Sequence, residues 1–127
     1  QLYADLVRLR LDRDGRTAGL RGGGLDVYHV NEAGKLIAYH RWDAGGAGDD
    51  VTVIANFSQH RYDGYLLGMP RPGTWVARFN SDDRRYSPDY EGFGSATVQA
   101  NLGPLHGQAQ SARVSVAPYS VLVLSQD

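Results

Sequence analysis

Leu25-Asp26-Val27-Tyr28-His29-Val30, then Asn31-Glu32-Ala33-Gly34, then Lys35-Leu36-Ile37-Ala38-Tyr39-His40-Arg41-Trp42 is the stretch that decides the fold. Leu25, Val27 and His29 alternate against Asp26, Tyr28 and Val30, a period of two that puts successive side chains on opposite sheet faces. Asn31 to Gly34 carries turn residues, so the two runs read as a hairpin. In the second run Leu36, Ala38, His40 and Trp42 share one face, and Ile37, Tyr39 and Arg41 the other. Both faces are largely apolar or amphipathic, as in a strand covered on two sides.

Downstream the same period continues. Asp43 to Asp49 is a Gly-rich loop, and Val51 to Phe57 is apolar almost throughout, as suits a central strand. Strands are predicted at Gly64 to Met69, Thr74 to Asn80, Ala109 to Ala117 and Ser120 to Ser125, with a weaker one at Ala96 to Ala100. Pro70-Arg71-Pro72-Gly73 supplies a turn, proline presetting φ and glycine accepting the left-handed position. Short strands at spacings of about 8 to 12 residues with no crossover helices predict an all-β, antiparallel Greek-key sandwich of seven to eight strands. No internal repeat is visible, which argues against a solenoid or propeller.

Upstream of Gly22-Gly23-Gly24 the period is helical. Leu2, Leu6 and Leu9 fall at i, i+4 and i+7, with Asp5, Arg8 and Asp12 on the other side, so residues 2–11 predict one amphipathic α-helix before the sandwich. Asp12-Arg13-Asp14-Gly15 offers the left-handed geometry that ends helices. Three exposed leucines would each forfeit roughly 1.5–3 kcal/mol of burial. The helix is therefore expected to pack back on the sandwich, to self-associate with another copy, or to fray.

At 127 residues the chain suits one compact domain, burying roughly two-thirds of its unfolded surface. Its net charge of −1, with acids and bases interleaved, gives no field for a phosphate backbone or an anionic membrane, so neither nucleic acid nor membrane is an expected partner. There are no cysteines, which excludes disulfides and thiol chemistry. No apolar run approaches the ~20 residues of a membrane span. The first ten residues mix charged and apolar types unlike a signal peptide, as if the chain began inside a longer one. The compartment is open, with the cytoplasm favoured.

These residues also carry a resemblance. Leu2-Tyr3-Ala4-Asp5-Leu6-Val7-Arg8-Leu9-Arg10 resembles the last barrel helix of glycoside hydrolase family 13, the α-amylase and glucan-branching enzyme family. Val27-Tyr28-His29-Val30, Leu36 to Trp42 and Val53-Ile54-Ala55-Asn56-Phe57 resemble the first strands of that family's carboxyl-terminal β-domain, domain C. Gly64-Tyr65, Gly68, Pro70, Gly73-Thr74-Trp75, Phe79-Asn80-Ser81-Asp82 and Pro118-Tyr119-Ser120-Val121-Leu122-Val123-Leu124 follow in matching order. The resemblance implies that residues 1–14 are the last helix of a parent's catalytic barrel and 15–127 its domain C. It implies a parent enzyme that cleaves or transfers α-1,4-linked glucose by a retaining mechanism, its two carboxylates lying on barrel strands before this helix.

For the chain itself no catalytic, cofactor-binding or metal-binding residue is expected. Asp49-Asp50 and Asp82-Asp83 are adjacent pairs that do not converge on one bond, and they read as solvated loop carboxylates. His29, His40, His60 and His106 lack zinc-site spacing. His29 and His40 fall in paired strands, as neighbours satisfied by backbone groups. Ser58 and Ser120 sit in no nucleophile elbow. What remains is aromatic surface, since a pyranose stacks its C–H face on a ring. The sugar-binding candidates are Trp42, Trp75, Tyr86, Tyr90 and Phe93, the last three in a long loop. The competing reading makes both tryptophans core or rim residues and packs the loop on the sandwich edge or on the parent's barrel.

Two functions are thus expected of a fragment that is no enzyme itself: bracing the catalytic barrel, or holding α-glucan away from the active site.

Overall fold

The structure, a computed structural model, describes residues 2–127. One helix, α1 (Leu2–Arg10), precedes eight strands: β1 (Gly24–Asn31), β2 (Leu36–Trp42), β3 (Val51–Asn56), β4 (Tyr62–Met69), β5 (Gly73–Asn80), β6 (Thr97–Ala100), β7 (Gln110–Val116) and β8 (Ser120–Ser125). A short 3-10 turn, Ala18–Arg21, lies between α1 and β1. Every predicted strand is present, and all pairings are antiparallel.

Six strands form one sheet in the order β1-β2-β3-β8-β5-β6, and β4 pairs with β7 in a second. The chain crosses between sheets at β3–β4, β4–β5, β6–β7 and β7–β8. The main core lies between the sheets, where Leu36, Ile54, Trp75, Val114, Leu122 and Leu124 are buried. The opposite face of the large sheet forms a second core with α1, from Val51, Val53, Phe79, Val123 and Leu9. All six residues of β3 are buried because it is covered on both faces.

Of the three expectations for the helix, it follows the first and packs on the sandwich. Leu9 is buried and Leu2 lies against the second core, but Leu6 is 39% exposed. The stripe in contact therefore runs through positions 2, 5 and 9. The tie that fixes this rotation is the Tyr86 hydroxyl, which donates to Asp5 Oδ2 at 2.5 Å. The helix stops where Asp12 takes φ 54°, with its N–H bonded to the Leu9 carbonyl and the Arg13 N–H to that of Arg8, both at 3.1 Å. Thr17 then donates its hydroxyl to the Leu9 carbonyl at 2.8 Å, satisfying an end group of the helix.

Two bulges re-aim side chains. In β1 the register shifts between Val27 and His29, so Tyr28 and His29 both reach the small sheet. The Tyr28 hydroxyl donates to the Gly68 carbonyl at 2.7 Å, and His29 Nε2 lies 2.6 Å from the Tyr65 hydroxyl. In β5 a shift between Ala77 and Phe79 leaves Trp75 in the main core and sends Phe79 to the helix side.

Candidate functional site

Asp49 and Asp50 are not solvated, contrary to the sequence expectation; both are buried. The reason is the glycine-rich loop, whose backbone N–H groups need acceptors once the chain folds over itself. Asp49 accepts from the N–H groups of Asp43 and Ala44, each at 2.7 Å. Asp50 Oδ2 accepts from Gly46 N–H at 2.9 Å, and Gly45, Gly46 and Gly48 all have positive φ that glycine alone adopts freely.

Asp50 also gathers two basic side chains from distant elements. His40 Nε2, on β2, lies 2.9 Å from Oδ1, and Arg71 Nε, in the turn before β5, lies 2.5 Å from Oδ2. Burial alone would raise the Asp50 carboxyl, but the bonds from Arg71, His40 and Gly46 outweigh it and hold it below the usual carboxylate range. The turn is fixed from behind, since Trp75 Nε1 donates to the Arg71 carbonyl at 3.1 Å and Gln126 Nε2 to that of Pro72 at 2.9 Å.

Trp42 sits beside this cluster, half-buried, its ring 4.7 Å from that of His40 at a 36° tilt. It lines a cleft of about 510 Å³ with His40, Asp50, Pro70, Arg71 and Pro72. Of the two tryptophans, Trp42 lines this cleft and Trp75 does not. Trp75 is a correction to the candidate set: it is 0% exposed, because β5 turns it into the main core, and no ring face is left for a ligand.

The long loop divides its aromatics among different tasks. Tyr86 is held between sheet and helix, its ring 5.7 Å from Phe79 and its hydroxyl on Asp5, and burial followed by the Asp5 bond pushes that hydroxyl up to about 12. Phe93 has the Arg61 guanidinium over its ring at 4.2 Å. Tyr90 is exposed and lines a cleft of about 380 Å³ with Leu2, Asp82, Pro118 and Tyr119. This loop leaves β5 near the start of β8, whereas Trp42 lies by the end of β8, so the two groups occupy opposite ends of the large sheet.

The other polar candidates have structural partners. Asp82 accepts from Phe93 N–H at 3.0 Å, and Asp83 pairs with Arg85 at 2.9 Å. His29 and His40 are not neighbours, since the register sets His29 opposite Ala38 and His40 opposite Asp26. His29 instead stacks on His106, whose Nδ1 accepts from Gly68 N–H. Ser58 bonds Asn56, and Ser120 bonds the Pro118 carbonyl. Among the described residues, no three of His, Cys, Asp and Glu gather as metal ligands would.

Comparison with known proteins agrees with this architecture. The family model described as "Alpha amylase, C-terminal all-beta domain" matches residues 28–127. The chain is 32% identical over 126 residues to the 1,4-alpha-glucan branching enzyme GlgB of Rhodospirillum rubrum, a match that covers 99% of this chain and 16% of that enzyme. It is 34% identical over 123 residues to GlgB of Cupriavidus pinatubonensis, with 97% and 16% covered. The GlgB 1 of Xanthomonas campestris is 37% identical over 94 residues, with 73% and 13% covered. The chain thus spans about a sixth of the length of the curated relatives it matches, 16% for the first of them.

Proposed function

We propose that this chain, which belongs to the α-amylase C-terminal all-β domain family, is a non-catalytic module that braces the catalytic barrel of a longer α-1,4-glucan branching enzyme. In this reading residues 1–14 are the last helix segment of the parent's barrel and 15–127 form domain C. The chemistry, transfer of α-glucan segments, resides in the rest of that protein.

The observation that carries the reading is an apolar face left open on the helix side of the large sheet. Leu6, Val7 and Leu11 on or just after α1 are exposed, as are Leu25, Val27 and Val30 on β1. The β1 residues lie on this side because they pair with Arg41, Tyr39 and Ile37, and Tyr39 packs into the second core. These side chains are already about half buried, so covering each one stabilises by about half of the ~1.5–3 kcal/mol of full burial, and a barrel surface laid here is held by several such contacts.

The test is made in the longer protein, with Val7→Asp and Val27→Asp combined. A lower melting temperature, with the isolated 127-residue chain unaffected, is the expected result. If the substituted protein and one lacking the domain both melt like the parent, the bracing role is wrong.

A second reading, accessory binding of α-glucan, is favoured by the half-buried Trp42 and its polar cleft.

A further inference from the structure

Residues 101–109, between β6 and β7, lie against the edge of β4, whose one sheet partner is β7. Gly68 of β4 is capped there by side chains from two elements. Its N–H donates to His106 Nδ1 at 3.0 Å, and its carbonyl accepts the Tyr28 hydroxyl at 2.7 Å. The loop sits so close that an added Cβ on Gly68 would come within 2.3 Å of the Leu105 carbonyl oxygen. We infer that His106 is an acid-released latch: neutral, it fastens this loop over the β4 edge, and protonated, it lets the loop go.

The loop depends on that side chain. It holds no charged residue, and His106 is its sole titratable group. Its backbone N–H groups bond within the loop, between Leu105 and Gln108, and to the start of β7, from Leu102 to the Ser111 carbonyl and from Gly103 to the Gln110 side chain. The imidazole is thus its tie to β4. His106 takes φ 55° between Gly103 and Gly107, whose φ of 96° and 75° give the segment its hinges. Left-handed backbone is disfavoured for a residue that carries a Cβ, so the Gly68 bond and the ring stack hold His106 in place.

A proton on Nδ1 turns the acceptor into a donor and ends the bond from Gly68. The groups facing the two imidazoles are Tyr28 and Asn31 from β1 and Tyr65 from β4, whose hydroxyl lies 2.6 Å from His29 Nε2 and accepts from Asn31. Asp26, the acid of β1, bears on Tyr28 instead. Among the described residues no carboxylate pairs with either ring, whereas His40 has Asp50. Burial lowers the pKa of His106, and burial and then His106 lower that of His29, so charge on the pair is better tolerated once the loop has left.

The test is amide exchange of this chain at about pH 7.5 and about pH 5.5, read as protection factors so that the pH dependence of the exchange chemistry drops out. Gly68 is expected to be less protected than Val53 and Val123, which open with the whole domain. Its protection should fall roughly five- to tenfold between the two conditions for each histidine that regains its ordinary pKa on release. His106→Gln keeps an acceptor for the Gly68 N–H but cannot titrate, and should remove that residue's share of the fall. If this variant does not fold, the two measurements on the unaltered chain still decide. Unchanged protection at Gly68 would overturn the latch. So would protection equal to that of Val53 and Val123 at the lower pH, because release would then be global unfolding. A fall of undiminished size in His106→Gln would take the switch away from His106.

Discussion

His29 and His106 stack ring on ring, their centroids 3.8 Å apart and their planes 22° from parallel. They join three elements: β1 carries His29, the loop before β7 carries His106, and both hold β4, through Tyr65 and Gly68. The Nδ1 of His106 must be unprotonated to accept from Gly68 N–H. Burial lowers the pKa of both rings, and for His29 the neighbouring His106 lowers it further.

A histidine with a depressed folded-state pKa favours the native fold while neutral. Its contribution is complete above the ordinary value of 6.5 and is lost as pH falls below it, where the unfolded chain takes up protons first. Thermal melts of this chain should be level from about pH 8 to 7 and fall from about pH 6.5 downward. His106→Gln should flatten that decline. An equal slope in both proteins would show that the stack is not its source.

Tyr86→Phe removes the hydroxyl that holds Asp5. A bond to a carboxylate at the boundary of a core contributes about 1.5–3 kcal/mol, and the partial exposure of this pair points to the lower part of that range. Chemical denaturation should show the loss, with amide exchange accelerated in Leu2 to Leu9 before the strands. Unchanged exchange in α1 would mean that Leu2 and Leu9 hold the helix unaided.

Asp50→Asn should destabilise the fold by about 2–3 kcal/mol, less than the 3–5 of a fully buried ion pair because Arg71 is half exposed. The effect should reach the glycine-rich loop, whose Gly46 N–H loses its charged acceptor, and should alter Trp42 fluorescence through His40. A stable variant with native fluorescence would show that the three-way tie contributes little.

Tyr119 has φ 51° in the turn between β7 and β8 and is 70% exposed. A bulky residue in that region costs roughly 1–2 kcal/mol, and an exposed ring recovers little of it by packing. Tyr119→Gly should therefore raise stability by about 0.5–1 kcal/mol after glycine's own unfolded-state entropy is deducted. A decrease would reveal packing by this ring.

Alternation and turn residues made the strands legible, because the pattern of Leu36 to Trp42 or of Val51 to Asn56 reports a sheet covered on two faces wherever the partners come from. Helical spacing likewise reported α1, but not its rotation: Leu6 belongs to the sequence stripe, yet the Asp5–Tyr86 bond spans 81 residues and turns Leu6 outward. The carboxylates were misread for the same reason. Asp50 is exposed by every local criterion, and only the approach of Arg71, 21 residues away, shows that it is buried and paired. Trp75 and Trp42 have similar local contexts and both lie on strands one in from an edge of the large sheet, but Trp75 falls within β5, over the core, and Trp42 is the last residue of β2, at the rim.

The position of β8 between β3 and β5 bears on how the domain is made. As a ribosome releases the polypeptide from its amino end, the inner edges of β3 and β5 wait without partners until Ser120 to Ser125 emerge. Non-local pairing of this sort is slow, and unpaired edges are prone to stick to other chains. A message truncated just before Ser120 would thus yield a product with neither core closed, exposed to chaperones and proteases, so this sheet certifies that translation has run at least to its eighth strand.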